Sequence, residues 1–141
     1  MLDSLKPGLS LSVKHPVDQS LTVPHLLPEF EEFARMPKVL ATGFLIGLVE
    51  WACMRLLTPH LGDDERTVGR HVDLSHEAPT VPGATLDITV ELLRVAGRQL
   101  DFTVLVSDDH AIACRGRHRR TVIDVHRFQE RVLRLAGSGD G

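Results

Sequence analysis

The sequence predicts an α+β domain in which a curved antiparallel sheet wraps around one long central helix. Two observations carry this prediction. Residues 43–59 are apolar on nearly every side, which is typical of a buried helix. Four segments after residue 67 alternate apolar and polar residues, which is the period of strands packed on one face. A length of 141 residues suits a single domain, spanning residues 1–141.

The elements follow in order along the chain. Residues 9–14 alternate as a strand, and four prolines between 16 and 37 exclude a long helix, although residues 29–35 allow one or two turns. We expect Thr42 to cap the long helix. The later strands are predicted at 68–76, 86–92, 100–106 and 111–124, with a hairpin turn at Ala96-Gly97 and a short closing helix at 128–135. Residues 1–8 and 136–141 are expected to be loose ends.

A single helix needs cover from the sheet, and this order of elements predicts the hotdog fold. Its sheet has an exposed edge, and such edges are commonly paired with a second copy, so we expect a homodimer. The predicted strand face toward the helix carries Val68, Arg70, Val72, Leu74 and His76.

The composition excludes several classes of protein. Apolar residues make up 43% and charged residues 25%, an ordinary globular mixture, and the net charge of −3 argues against a nucleic-acid binder. No signal peptide and no apolar run long enough for a membrane span is visible, so we expect a cytoplasmic protein. Cys53 and Cys114 lack metal-ligand spacing and are expected to be buried thiols, and we expect no metal and no nucleotide-binding loop.

Three side chains could carry acid–base chemistry. Glu50 lies among apolar residues of the long helix, and buried acids cluster at functional sites. His76 ends a strand that should face the helix, and a carboxylate with an imidazole suits general acid–base catalysis. Thr42 adds a hydroxyl, and the amide of Gly43 at the helix start favours developing negative charge.

Structural roles for the same residues remain open at this point. Glu50 could pair with Arg55 or cap a backbone group, His76 could be a core histidine, and Thr42 could serve only as the cap. Thr42 and Glu50 are eight residues apart, roughly 12 Å along a helix axis. That spacing prevents a direct contact unless Thr42 folds back, so we favour a site shared between two chains.

Arg115, Arg117 and Arg119 alternate on one face of the last predicted strand, whereas His118 and Arg120 lie on the other. Guanidinium groups bind phosphates in a bidentate manner, so the stripe predicts a site for a small phosphorylated ligand. A solvated strand face is the alternative.

The segment ATGFLIGLVEWAC at 41–53 resembles the helix of the fluoroacetyl-CoA thioesterase family of hotdog hydrolases. Weaker matches extend the resemblance from about position 20 to 128: Thr22-Val23, His25-Leu26, Gly69, Ser75-His76, Pro82-Gly83, 116–120 and Val122-Ile123.

The resemblance implies a dimeric acyl-CoA thioesterase that needs no cofactor beyond the coenzyme A of its substrate. Thr42, Glu50 and His76 stand at the places of the family's catalytic set. Gly69 and Arg120 match residues near the substrate. Met36 replaces a phenylalanine of the hydrophobic lid, which implies a pocket for short or substituted acyl groups with less strict selection. Alternatives are a non-catalytic acyl-CoA or acyl-carrier binding module and an enoyl-CoA hydratase.

Overall fold

The computed structural model describes residues 1–138 of the chain. It contains five strands and three helices, with short 3₁₀ turns at Gln19–Leu21, Val23–His25 and Thr58–His60. The elements in chain order are β1 (Ser10–Pro16), α1 (Glu31–Ala34), α2 (Thr42–Leu57), β2 (Glu65–Leu74), β3 (Thr85–Ala96), β4 (Gln99–Ser107), β5 (Ile112–Asp124) and α3 (Val125–Ser138).

All five strands form one antiparallel sheet in the order β1-β3-β4-β5-β2. Apolar side chains alternate along β3 and β4 and are buried against α2, as the period of two predicts. Gly97 takes a φ of 60° in the β3–β4 turn, a conformation that glycine adopts without strain. The predicted α+β architecture is therefore confirmed, with the hotdog arrangement of a sheet against one helix.

The sheet covers only one side of α2 within a single chain. The covered side is completely apolar: Leu45, Val49, Ala52, Cys53, Leu56 and Leu57. On the other side Phe44, Leu48 and Trp51 are only partly buried, and Met54 is 45% exposed. The expectation of a helix buried on most sides is thus met only in part, because one sheet face can contact only one side of a helix.

The predicted inner face of β2 is wrong for the first half of the strand. Thr67 is buried and Gly69 faces α2, whereas Val68 and Arg70 were expected there. A β-bulge between Gly69 and His71 adds one residue to β2 and reverses the alternation at that point. Beyond the bulge the prediction holds, and Leu74 packs against the core.

The N-terminal segment and residues 125–138 are more ordered than the sequence predicts. Leu5 is 6% exposed within the core, and the amide of Gly8 donates to the carbonyl of Leu92 at 2.8 Å, so residues 1–8 are not loose. The closing helix begins at Val125, earlier than the predicted 128, because the Asp124 carboxylate accepts hydrogen bonds from two first-turn amides. Residues 136–138 belong to this helix, and the rest of the predicted loose tail lies outside the described residues.

Cys53 and Cys114 are both buried free thiols, as predicted. Burial raises the pKa of Cys53 to about 12 and that of Cys114 to about 11. Among residues 1–138 no helix combines the length and hydrophobicity that crossing a membrane requires.

Candidate active site

The start of α2 brings Thr42 and His76 together. Ala41 is the N-cap and Thr42 is already the first helical residue, so the prediction that Thr42 caps the helix is wrong. Its hydroxyl contacts the Nδ1 atom of His76 at 2.8 Å instead. This contact explains why the hydroxyl is not used for capping: it points across to the segment that follows β2.

Only one of the two ring nitrogens of His76 has a hydrogen-bond partner among the described residues. Burial lowers the pKa of His76 from 6.5, which favours the neutral ring. Its Nε2 atom is buried and has no hydrogen-bond partner among the described residues. The ring lines a cavity of about 190 Å³ together with Val39, Glu77, Ala78 and Pro79. A neutral imidazole with an unpartnered nitrogen can exchange a proton with any group that reaches this nitrogen, which has almost no exposed surface in the single chain.

The first turn of α2 supplies amides beside this histidine. The first bond within the helix runs from the amide of Leu45 to the carbonyl of Ala41 at 2.9 Å, so the three preceding amides have no acceptor inside the helix. Gly43 is exposed, and Leu26 packs so closely that a Cβ at this position would lie 3.1 Å from it. The amide of Gly43 thus has no acceptor inside the helix, and its role toward a developing negative charge stays a prediction.

Glu50 is held by a buried arginine. Its Oε2 atom accepts a hydrogen bond from Nη1 of Arg120 at 2.7 Å. The Arg120 side chain is 3% exposed and that of Glu50 is 38% exposed. The pairing with Arg55 considered above is absent, because Arg55 lies over the Trp51 ring. The carboxylate is therefore held at one oxygen while the side chain as a whole remains partly exposed.

Arg120 is itself fixed by three further acceptors. Its Nε atom donates to the hydroxyl of Thr67 at 2.8 Å and its Nη2 atom donates to the Thr67 carbonyl at 2.9 Å. Nη1 also lies 3.1 Å from Nε2 of His118. The prediction put Arg120 near the substrate, and the structure places it directly behind Glu50.

Gly69 lies over this group of side chains. A Cβ on Gly69 would come within 2.8 Å of the Glu50 Oε2 atom, a separation that real side chains do not tolerate. The same Cβ would lie 3.5 Å from the His118 ring and 3.6 Å from Arg120. A side chain here would displace the carboxylate from its present position, and the role of Gly69 next to the substrate stays a prediction.

Two residues of this group escaped the sequence analysis, namely Thr67 and His118. Thr67 was missed because the predicted strand begins at residue 68, whereas β2 begins at Glu65. His118 had a usable signal, since it shares the inner face of β5 with Arg120 and is 2% exposed. A polar residue on the inner face of a strand needs a buried partner, and this requirement could have identified His118 as part of the group.

The predicted site residues thus form two clusters within one chain. The first cluster contains Thr42, Gly43 and His76, and the second contains Glu50, Gly69 and Arg120 with Thr67 and His118. Thr42 and Glu50 are eight positions apart on α2, roughly 12 Å along the axis. No hydrogen bond joins the two clusters among the described residues. Within the same residues, no three His, Cys, Asp or Glu side chains converge as metal ligands would.

The arginine stripe of β5 lies on the face of the sheet away from α2. Arg115 makes a bidentate contact with Glu77, with atoms 2.7 and 3.2 Å apart. Arg119 pairs with Asp101 at 2.8 Å. Arg117 has no ion pair among the described residues and stands opposite Asp73 in the sheet. The phosphate-binding role of the stripe stays a prediction, and two of its three cations already have carboxylate partners.

Met36 lies in the connection between α1 and α2 and is 48% exposed. Leu27 and Phe30 in the preceding segment are exposed to a similar degree, at 41% and 51%. The connection therefore presents apolar side chains to its surroundings, which is compatible with the lid that the resemblance implies.

Comparison with known proteins places the chain in a family. The model of the fluoroacetyl-CoA-specific thioesterase family matches residues 21–126. The fluoroacetyl-CoA thioesterase of Streptantibioticus cattleyicolor is 38% identical over 139 residues, which cover 99% of this chain and 100% of that protein. The solved structure of the fluoroacetyl-CoA thioesterase FlK superposes with a TM-score of 0.91 at 39% identity, covering 94% of this chain and 98% of FlK.

A crystal structure of a FlK variant in complex with fluoroacetate and CoA is similar over 88% of this chain and 99% of that one, with a TM-score of 0.86 and 40% identity. The family match extends over both clusters of polar residues described above. The chain therefore belongs to the fluoroacetyl-CoA-specific thioesterase family, a family of thioester hydrolases.

Proposed function

We propose that this protein hydrolyses a short or substituted acyl-CoA, related to fluoroacetyl-CoA, to the free acid and CoA. The reaction adds one water across the C–S bond, so that the acyl carbon gains a hydroxyl and the sulfur gains a proton. The observation that carries the proposal is Glu50, held at one oxygen by buried Arg120 with its side chain still 38% exposed. A carboxylate in that position can act on a thioester carbon or on the water that attacks it.

The proposed roles follow from the contacts of each residue. Glu50 attacks the acyl carbon or activates water. His76, with its unpartnered Nε2, transfers a proton, and Thr42 orients the ring through its 2.8 Å contact with Nδ1 and helps to position the acyl group. The amide of Gly43 at the start of α2 stabilises the oxyanion of the tetrahedral intermediate. Gly69 and Arg120 form the wall behind the carboxylate.

The test is hydrolysis of acetyl-CoA and fluoroacetyl-CoA by Glu50→Gln, with thiol release as the measurement. We expect kcat to fall by about 10²–10⁴-fold, the range for loss of an acid–base group. Glu91→Gln, an exposed glutamate on β3, is the matched control and should keep full turnover. Unimpaired release by Glu50→Gln would remove this carboxylate from the chemistry. CoA binding without thiol release by the wild type would instead favour the acyl-CoA binding module.

A single turnover in ¹⁸O-labelled water separates the two roles of Glu50. If Glu50 attacks the acyl carbon, hydrolysis of the mixed anhydride at the Glu50 carbonyl leaves label in that side chain. If Glu50 activates water, all of the label appears in the released acid. Mass spectrometry of the peptide that contains Glu50 measures the difference.

We further propose that two copies of the chain complete the site, with Glu50 from one copy and the Thr42–His76 pair from the other. The roughly 12 Å between Thr42 and Glu50 along α2 and the partly exposed apolar side of this helix support that arrangement. The homodimer is expected to be cytoplasmic and to need no cofactor.

Subunit mixing tests this arrangement. Glu50→Gln and His76→Ala homodimers should each be inactive, and exchange between them should restore about a quarter of the wild-type activity, since half of the dimers would carry one intact site. A site built within one chain gives no restoration, because each site in the mixed dimer then lacks one group.

The acyl selectivity is proposed to depend on Met36. Methionine adapts its shape to irregular space, whereas phenylalanine is rigid. Met36→Phe should therefore lower kcat/KM for acetyl-CoA more than for fluoroacetyl-CoA. Equal changes for both substrates would show that the side chain at this position does not select the acyl group.

A further inference from the structure

His118 is a buried imidazole that the proposed chemistry does not use. It lies on the inner face of β5 and is 2% exposed. Its Nδ1 atom is 2.8 Å from the carbonyl oxygen of His71 on β2, and its Nε2 atom is 3.1 Å from Nη1 of Arg120. Both ring nitrogens therefore have partners, and one of these partners is the cation that holds Glu50.

The two partners determine where the ring proton is located. A carbonyl oxygen only accepts hydrogen bonds, so Nδ1 of His118 carries the proton and donates it to His71. Arginine only donates, so Nε2 must offer its lone pair to Nη1 of Arg120. The ring is consequently neutral, and a second proton on Nε2 would place two N–H groups 3.1 Å apart.

This lone pair completes the set of acceptors around Arg120. Nη1 carries two N–H groups, one directed at Oε2 of Glu50 at 2.7 Å and the other at His118. Nε and Nη2 are both directed at Thr67. With acceptors on three sides, the planar guanidinium has one orientation, and so has the carboxylate that it binds.

We propose that His118 is a positioning residue, which fixes the Arg120 guanidinium and through it the reactive orientation of the Glu50 carboxylate. This inference rests on the proposed role of Glu50. Removal of the His118 lone pair would leave one Nη1 N–H without an acceptor in a buried position. The guanidinium would then be free to turn about its Thr67 contacts, and the Glu50 carboxylate, which accepts from Nη1, would move with it.

Two substitutions separate positioning from packing. His118→Leu removes the acceptor and keeps an apolar side chain of moderate size, whereas His118→Gln keeps an oxygen that can accept from Nη1. We expect His118→Leu to lower kcat by roughly 10–100-fold, the effect of a displacement on the order of 1 Å. KM should change by less than about threefold, and His118→Gln should recover most of kcat.

The control is His110→Gln, an exposed histidine in the β4–β5 turn, which should behave as the wild type. Activities are divided by the folded fraction from circular dichroism, so that lost stability does not count as lost turnover. Equal losses of kcat in the two His118 variants, or a kcat of His118→Leu within twofold of the wild type, would overturn the proposal.

A double substitution tests whether His118 acts through Arg120. In an Arg120→Gln background the guanidinium is absent, so His118→Leu should cause no further loss of the residual kcat. Losses that multiply would show that His118 acts by another route and would contradict the proposal.

Nitrogen NMR of the full-length protein gives a readout that does not depend on activity. We expect His118 to be neutral with the proton on Nδ1. A proton on Nε2 would refute the positioning role even in an active enzyme. A wild type without thioesterase activity, combined with the expected tautomer, would instead refute the proposed function and leave the hydrogen-bond arrangement intact.

Discussion

Arg120 and Gly69 determine the position of Glu50 from two sides. Arg120 directs N–H groups from three different nitrogens toward four acceptors, all between 2.7 and 3.1 Å. A lysine at this position would keep the charge but would have a single nitrogen, so it could not reach Thr67, His118 and Glu50 together. The carboxylate therefore depends on the shape of its partner as much as on the charge.

The approach of Gly69 to the carboxylate gives a prediction for Gly69→Ala. The φ of Gly69 lies outside the left-handed region, so alanine fits the backbone, but its Cβ would be 2.8 Å from Oε2 of Glu50. We expect the carboxylate to be displaced and kcat to fall by about 10-fold or more, with little change in the unfolding midpoint. Gly137→Ala on α3, where nothing lies within 4 Å of the new Cβ, is the control for kinetics and stability.

The two inner histidines predict a loss of stability in mild acid. Burial, with a further contribution from Arg120, lowers the pKa of His118 from 6.5, although the His71 carbonyl and Glu50 oppose this shift. Burial also lowers the pKa of His76. Below about pH 6.5 the unfolded chain therefore binds more protons than the folded chain, and the free energy of unfolding decreases as the pH falls.

Urea unfolding between pH 7.5 and 5.5 measures this effect. His118→Gln lacks one of the two titrating rings, so its stability should depend less steeply on pH than that of the wild type. Parallel profiles for both proteins would show that His118 does not contribute to the acid sensitivity.

At the scale of elements, strand alternation and the apolar helix predicted most of the sheet and α2. Alternation failed at β2 because a bulge adds one residue next to Gly69, and the isolated glycine in the strand was a signal that the search for alternation overlooked. The early start of α3 had a signal in Asp124, a good capping residue that the search for apolar periodicity overlooked. His118 was missed because the stripe of exposed arginines on the opposite face of β5 was taken as the functional feature.

The pairing of β5 with β2 gives a second prediction about a glycine, for Gly116→Ala. Gly116 has a φ of 150°, and a Cβ there would lie 2.0 Å from the carbonyl oxygen of Asp73 on β2. Because that atom belongs to the backbone, relief requires the two strands to separate. We expect a destabilisation of about 2–4 kcal/mol by urea unfolding.

The same Gly137→Ala control should be neutral or stabilising by up to about 1 kcal/mol, since it replaces glycine in a helix. A Gly116→Ala protein with wild-type stability would mean that the β2 and β5 backbones are not in the close contact described above.

At the scale of the whole molecule, one chain carries two separate groups of polar side chains along α2, one around Thr42 and one around Glu50. The contacts within one chain determine which residues belong to each group. No hydrogen bond joins the two groups among the described residues. Family resemblance identified Thr42, Glu50 and His76 together, whereas the geometry of a single chain joins only Thr42 to His76. Hydrophobic periodicity predicts the helices and strands of one chain. It carries no information on how a second chain would pack against the first.

The separation of Thr42 from Glu50 has a consequence for how the enzyme responds to dilution. If neither set of groups works alone, the rate per molecule depends on protein concentration and falls once monomers predominate. Assays at nanomolar and micromolar enzyme would then give different specific activities for identical molecules. A progress curve that slows with time after a large dilution, and that recovers on adding an inactive Thr42→Ala partner, would reveal this dependence directly.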